Sequence, residues 1–204
     1  MQTVLDLKQR LSELTLAPAP KAERHAAVAL LLRFDPDPSV LLMRRAERAG
    51  DRWSGQIGLP GGHAEEQDAD LSATAVRETH EELGLELDVC AQPLGQLPYL
   101  QARSQHKRLP LYVTPFVFLE VEPAEPVLGP EATRAFWLPL AGAHAGELDG
   151  QHELPSSEAG ELLRFPSWNF DGEVIWGMTH HIIGGLLDIL HPADEGRRPP
   201  SGPA

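Results

Sequence analysis

Residues 61–84 read GGHAEEQDADLSATAVRETHEELG, and three glutamates, Glu78, Glu81 and Glu82, crowd into the second half of that stretch. Like charges three or four apart on a helix repel by a few tenths of a kcal/mol per pair, so their presence asks for compensation. A solvated acidic face is the ordinary reading of such a run, but helical geometry opposes it here. At about 100° per residue, Leu71, Ala75, Thr79 and Leu83 form an apolar arc, and Glu78 and Glu82 fall within about 20° of Leu71 at its edge. Glu81 lies further round, toward Arg77. Carboxylates at the rim of a buried face are expected either to have raised pKa values or to need cations, because desolvation and mutual repulsion both disfavour their ionisation, and a divalent metal resolves that conflict. Oxygen donors of this kind suit Mg²⁺ or Mn²⁺. Local signals mark both ends of the helix, with Asp70 as N-cap and Gly84 in the left-handed position that stops it. The preceding Pro60-Gly61-Gly62 lets backbone approach a metal or phosphate closely, since glycine has no Cβ.

These residues resemble the signature of the Nudix hydrolases: Gly, five residues, Glu, seven residues, then Arg-Glu-apolar-any-Glu-Glu-any-Gly-apolar. The second half matches at Arg77, Glu78, Thr79, Glu81, Glu82, Gly84 and Leu85, with Thr79 in an apolar slot. Counted from Gly62, the first acidic position falls on Asp68, and eight residues rather than seven separate it from Arg77. The resemblance implies an α/β/α sandwich around a mixed β-sheet and metal-dependent hydrolysis of a diphosphate linked to another moiety. It assigns Glu78 and Glu82 as metal ligands, Glu81 as a third ligand or the base acting on water, and the Gly62 carbonyl as a further ligand. Arg77 is expected to orient a neighbouring glutamate, and Asp68 to support from the outer shell.

Three segments resemble the coenzyme A pyrophosphatase branch more narrowly: Leu41 to Ala46, Gly55 to Gly62, and Ile175 to Thr179. Met43 stands where Thr is usual there, Leu59 where Phe is usual, and Leu41 to Gly55 is one residue longer. The implied substrate is coenzyme A or an acyl derivative, cut to 3′,5′-ADP and 4′-phosphopantetheine. Arg44, Arg45, Arg48, Arg52, Arg103, His106, Lys107 and Arg108 are candidates to grip the 3′-phosphate or form an ordinary solvated set, and Arg45 and Arg52, which flank these segments, are the residues expected to bind substrate there. Trp53, Trp168 and Phe170 are candidates to stack on adenine or to pack in the core. Two other readings stay open: a hydrolase of ADP-ribose or nucleotide sugars, and a nucleotide-binding module without activity, against which the intact glutamates argue.

A chain of 204 residues with a formal charge of −13 is expected to form one domain and to bind a small phosphorylated ligand, not long nucleic acid. The single cysteine, Cys90, excludes an intrachain disulfide and reads as a small packed residue. No run approaches the roughly 18 apolar residues of a membrane span, and the start, MQTVLDLKQRLSEL, does not resemble a leader, so the expected location is cytoplasmic. Self-association into a homodimer is left open. His180 and His181 diverge by about 100° on a helix, which opposes shared zinc coordination.

Residues 1–24 are read as an amphipathic helix, through Val4, Leu5, Leu7, Leu11 and Leu14, followed by a linker. Residues 25–191 are read as the Nudix-like domain, and 192–204 as a disordered tail rich in proline, glycine and charge. AAVALLLRF, SVLLMRR, LGQLPYL, LPLYVTPFVFLEV and RAFWLPL read as strands. EVIWGMTHHIIGGLLDIL reads as a buried helix, with Val174, Ile175, Met178, Ile182, Leu186, Ile189 and Leu190 inward.

Overall fold

The run from Arg24 to Arg33 is apolar on both faces, as a strand covered from both sides must be. Ala27, Ala29 and Leu31 point one way and Leu30 and Leu32 the other, all essentially inaccessible. This strand is the axis of the computed structural model, which describes residues 2–20, 24–50, 53–104, 107–155 and 162–192. Arg52, His106 and the expected tail from residue 193 onward lie outside the described residues, as does the side chain of Lys107.

In chain order the elements are α1 (Gln2–Glu13), β1 (Arg24–Arg33), β2 (Ser39–Arg45), β3 (Ile57–Gly58), β4 (Gly61–His63), α2 (Leu71–Leu83), α3 (Leu87–Cys90), β5 (Ala91–Gln96) and β6 (Leu100–Ser104). They continue as β7 (Lys107–Glu120), β8 (Ala132–Pro139), α4 (Leu140–Ala145), β9 (Asp149–Pro155), β10 (Leu162–Phe170), β11 (Glu173–Trp176) and α5 (Gly177–Leu190). β1 pairs parallel with β7 and antiparallel with β2 and β4, so the main sheet is mixed. β3 and β8 extend it beyond β2, while β5 and β6 pair with successive parts of β7.

Helices cover both faces of this sheet. On the first, Ala75 and Leu83 of α2 pack with Ala27, Ala29, Leu31, Leu41, Met43 and Phe118. On the second, α1 and α5 supply Leu7, Leu11, Ile182, Ile183, Leu186 and Leu187 to a core shared with Leu30, Leu32, Leu42 and Leu138. The architecture is the expected α/β/α sandwich. α1 is part of the domain's core: Arg10 Nη1 donates to the Ile189 and Leu190 carbonyls at the end of α5, which satisfies acceptors that a helix C-terminus leaves open. Leu5, expected on the apolar face, is exposed.

Three readings change. The stretch expected to be one helix from Glu173 starts as β11, and α5 begins only at Gly177, whose φ of +62° breaks the path between them. Ile175 is consequently buried and Val174 exposed, the alternation of a strand. LGQLPYL is divided between β5 and β6, with Leu97 N–H donating to Pro115 O at the break. A second, antiparallel sheet of β9, β10 and β11 had no counterpart in the expected strands.

Candidate active site

α2 forms where its ends are capped. Asp70 Oδ1 accepts from Ala73 N–H at 2.9 Å, and Gly84, at φ +64°, donates its N–H to His80 O at 2.8 Å. Ala75, Thr79 and Leu83 of the expected arc are buried, and Thr74 beside them is too. Thr79 fits an apolar slot because its hydroxyl donates to Ala75 O at 2.7 Å, leaving its methyl for the core.

The carboxylates occupy three environments. Glu82 goes beyond the expected rim position and is only 1% exposed. Its Oε2 accepts from Gly61 N–H at 2.9 Å, and its Oε1 lies 3.4 Å from Arg45 Nη1. Burial pushes this carboxyl up to about 8 against the Gly61 N–H and Arg45, with Glu78 and Glu131 adding to the rise. Glu78 is half-buried; desolvation raises its pKa, Arg77 opposes that, and the fields of Glu81 and Glu131 reinforce it. Glu81 is open to solvent and, among the described residues, its carboxylate meets the edge of Arg77, at 3.3 Å.

Arg77 ties the group together. Its Nε and Nη2 form a two-point contact with Asp68 Oδ1 and Oδ2 at 2.9 and 3.0 Å, a strong geometry for a guanidinium. Nη2 also donates to His63 O, and Nη1 reaches Glu78 Oε1 at 3.0 Å. Asp68, held well below the usual carboxylate range chiefly by Arg77, accepts as well from Thr74 Oγ1 and Glu65 N–H. The eight-residue spacing is thus absorbed in the loop before α2 without loss of the Asp68 contact.

The two glycines of the turn do different work. A Cβ on Gly61 would run into Ala27 O and come within 2.6 Å of Val28 Cα, and its φ is +149°. β4 therefore joins β1 only through glycine at that point. A Cβ on Gly62 would meet the Glu78 carboxylate at 2.5 Å, so Gly62 clears the space into which Glu78 projects.

A divalent ion fits this chemistry. The donors are hard oxygens from Glu78, Glu81 and Glu82, the Gly62 backbone is close to Glu78, and buried Glu82 has a single guanidinium within reach among the described contacts. Among the described residues no three His, Cys, Asp or Glu side chains yet converge on one point, since their oxygens face Arg77, Arg45 and the Gly61 N–H.

Arg45, expected on the substrate, has its guanidinium against Glu82, and Arg44 reaches Glu173. Two contributors were not anticipated. Glu131, which pairs with Arg48 at 3.1 Å, projects its field onto Glu78 and Glu82. The loop before it lies on the end of α2, with Val127 N–H on Leu83 O and Gly129 N–H on Glu82 O. Neither had a local signal, being some fifty residues downstream of the glutamates. Of the stacking candidates, Trp168 is buried against His180, Phe170 stacks on Phe136, and Trp53 packs with Ala26, Leu111 and Met178. Cys90 is buried and burial raises its thiol pKa, the behaviour of a packing residue. His180 is buried and His181 exposed, diverging as expected.

Residues 23–157 match the family described as NUDIX domain. The chain is similar to the uncharacterized Nudix hydrolase NudL of Photorhabdus laumondii, 33% identical over 180 residues, covering 85% of this chain and 91% of the relative. It is similar also to the NudL of Yersinia pestis, 35% identical over 166 residues, with 80% and 78% covered. In fold it resembles a NUDIX hydrolase from Alicyclobacillus acidocaldarius, with a TM-score of 0.51, 20% identity, and 84% of this chain and 93% of that one covered.

Proposed function

Because the chain belongs to the Nudix hydrolase family, we propose that its substrate is coenzyme A or an acyl derivative, cleaved at the diphosphate to 3′,5′-ADP and (acyl-)4′-phosphopantetheine. One observation carries this reading. Two of the segments that resemble the coenzyme A branch are near neighbours in sequence and the third lies far downstream, and all three meet in space: Met43 pairs with Gly58, Arg44 with Ile57, and Thr179 Oγ1 donates to Ile57 O at 3.1 Å. The assembly leads directly into Gly61 and Gly62, beneath the glutamates.

In the proposed mechanism Glu78 and Glu82, with Glu81 or the Gly62 carbonyl, would hold Mg²⁺ or Mn²⁺. When bound, such ions neutralise phosphate oxygens and lower the pKa of water. A water oxygen bonds to one phosphorus as the bond from that phosphorus to the bridging oxygen breaks. The second phosphate leaves with the bridging oxygen, and Glu81, open to solvent, takes the proton of the attacking water. Arg77 holds Glu78 and Glu81 in register from its anchor on Asp68. Arg45, whose guanidinium lies beside Glu82, would in this reading meet the diphosphate, leaving the 3′-phosphate to other cations.

The test is a substrate panel with Mg²⁺, resolved by chromatography: coenzyme A, acetyl-coenzyme A, ADP-ribose, NADH, dinucleoside polyphosphates and dNTPs. Coenzyme A and its acyl form should give 3′,5′-ADP with the highest kcat/KM. Efficient turnover of ADP-ribose with coenzyme A untouched would overturn the assignment.

A further inference from the structure

In this acidic chain most described arginines face a carboxylate: Arg33, Arg44, Arg45, Arg48, Arg77, Arg134 and Arg164 all do. The hairpin of β6 and β7 departs from that pattern. Arg103 and Arg108 stand directly opposite each other across the two strands, and among the described residues neither guanidinium forms an ion pair or hydrogen bond. Like charges at opposed positions weaken a strand pair, so this arrangement is kept at a cost that a bound anion would relieve. Beside them Tyr99 and Tyr112 meet edge to face, with ring centres 5.3 Å apart. Tyr99, Gln101, Arg103, Arg108 and Tyr112 line a cleft of about 360 Å³. A pair of guanidinium groups beside aromatic rings suits a phosphate attached to a nucleoside, the cations taking the phosphate oxygens and a ring taking the base.

The cleft opens on the same face of the sheet as the glutamates. Gly62 pairs with Ala27, Ala27 with Thr114, and Tyr112 is the next residue of β7 on that face. Two strand spacings and one two-residue step put the Tyr112 backbone roughly 12 Å from Gly62. A substrate of coenzyme A's size spans that distance, and a separate nucleotide would fit the same chemistry.

We propose that the Tyr99–Arg103–Arg108–Tyr112 cleft binds the phosphate monoester of a nucleoside phosphate. The phosphate belongs either to the remote end of the substrate, in which case the proposal rests on the coenzyme A reading, or to a second nucleotide. The guanidinium groups make no described contact, so their replacement leaves the fold intact.

The full-length protein, the double variant Arg103→Gln/Arg108→Gln and the charge control Arg164→Gln are titrated calorimetrically with 3′,5′-ADP and with adenosine, which carries no phosphate. The parent and the control should prefer 3′,5′-ADP by roughly 10-fold, the value of one charge-assisted contact, and the double variant should lose the preference. A parent that binds both equally, or a double variant that keeps the preference, would overturn the proposal. Kinetics then separate the two sources, both of which keep the site. With the phosphate on the substrate, the ratio of kcat/KM for coenzyme A over dephospho-coenzyme A falls toward one in the double variant, and 3′,5′-ADP competes with substrate. With a second nucleotide, the ratio is unaltered, and 5′-AMP, which is not a product, changes the rate of the parent but not of the double variant. Should coenzyme A fail as a substrate, the reading of function falls while the calorimetric preference still decides the cleft.

Discussion

Gly62→Ala should separate catalysis from folding. The new Cβ would lie 2.5 Å from Cδ and Oε1 of Glu78 and 2.6 Å from Oε2, whereas ordinary contact begins near 3.4 Å. The carboxylate must therefore retreat by roughly 1 Å, and a displacement of that size in a reacting group costs on the order of 100-fold in rate. That corresponds to about 2.7 kcal/mol of transition-state stabilisation. Folding is spared, because the atoms that move are the end of a flexible side chain and Gly62 is not in the positive-φ region. Gly61→Ala is the contrast: its Cβ would strike the backbone of Ala27 and Val28, at a φ of +149°, so β4 would separate from β1. The assay is the initial rate of coenzyme A cleavage with Mg²⁺, beside a thermal melt. Gly62→Ala should melt within a few degrees of the parent with kcat down roughly 100-fold, and Gly61→Ala should lose its cooperative melt or its soluble expression. Parental kcat in Gly62→Ala, or equal damage to folding in both variants, would refute the reasoning.

Three further outcomes follow from the same structure. Asp68→Asn weakens the two-point anchor of Arg77, so activity or Mn²⁺ affinity should fall roughly 10- to 100-fold, as for supporting residues of metal sites, measured by kcat and by electron paramagnetic resonance of free Mn²⁺. Asp70→Ala removes the N-cap and should cost about 1 kcal/mol, a fall in Tm of roughly 2–4 °C, while an unchanged melt would mean that α2 starts without it. Burial lowers the His180 pKa from the usual 6.5, with Asp149 opposing and His181 adding. The folded state thus holds that proton less tightly than the unfolded chain, and this contribution to stability is full above pH 6.5 and declines as pH drops below it. His180→Gln should flatten Tm against pH in that acid window, and an identical slope in parent and variant would contradict the assignment.

What the sequence made legible was local and periodic. Asp70, the apolar arc and Gly84 each sit within one turn of the position they define, and they located α2 to the residue. The continuous apolar runs of β1 and β2 were equally legible because both strands are buried on both faces. β9 to β11 were not visible: Gly150, Pro166 and a polar face interrupt any clean alternation, and their pairing, not their composition, makes them strands. Ile175 and Val174 were assigned to a helix since the apolar residues after Gly177 extend the same composition backward. In the site, Glu78, Glu81, Glu82, Arg77 and Asp68 were readable from one contiguous stretch. Glu131, the turn of Arg45 toward Glu82 and the depth of Glu82 depend on tertiary contacts with β2 and the loop before β8.

The carboxylates of α2 are proposed to hold a divalent ion at which the diphosphate is cleaved. The most direct measurement is the rate of coenzyme A cleavage by Glu82→Gln at saturating Mg²⁺, with the product identified by chromatography and the fold checked by its melt. Glutamine keeps the shape of a side chain that is 1% exposed and its amide oxygen can still accept from Gly61 N–H, so the fold should persist. The rate should fall roughly 100- to 1,000-fold, as when a principal electrostatic contributor is lost. A variant rate within a few-fold of the parent, or a parent rate that persists in excess chelator, would contradict the account.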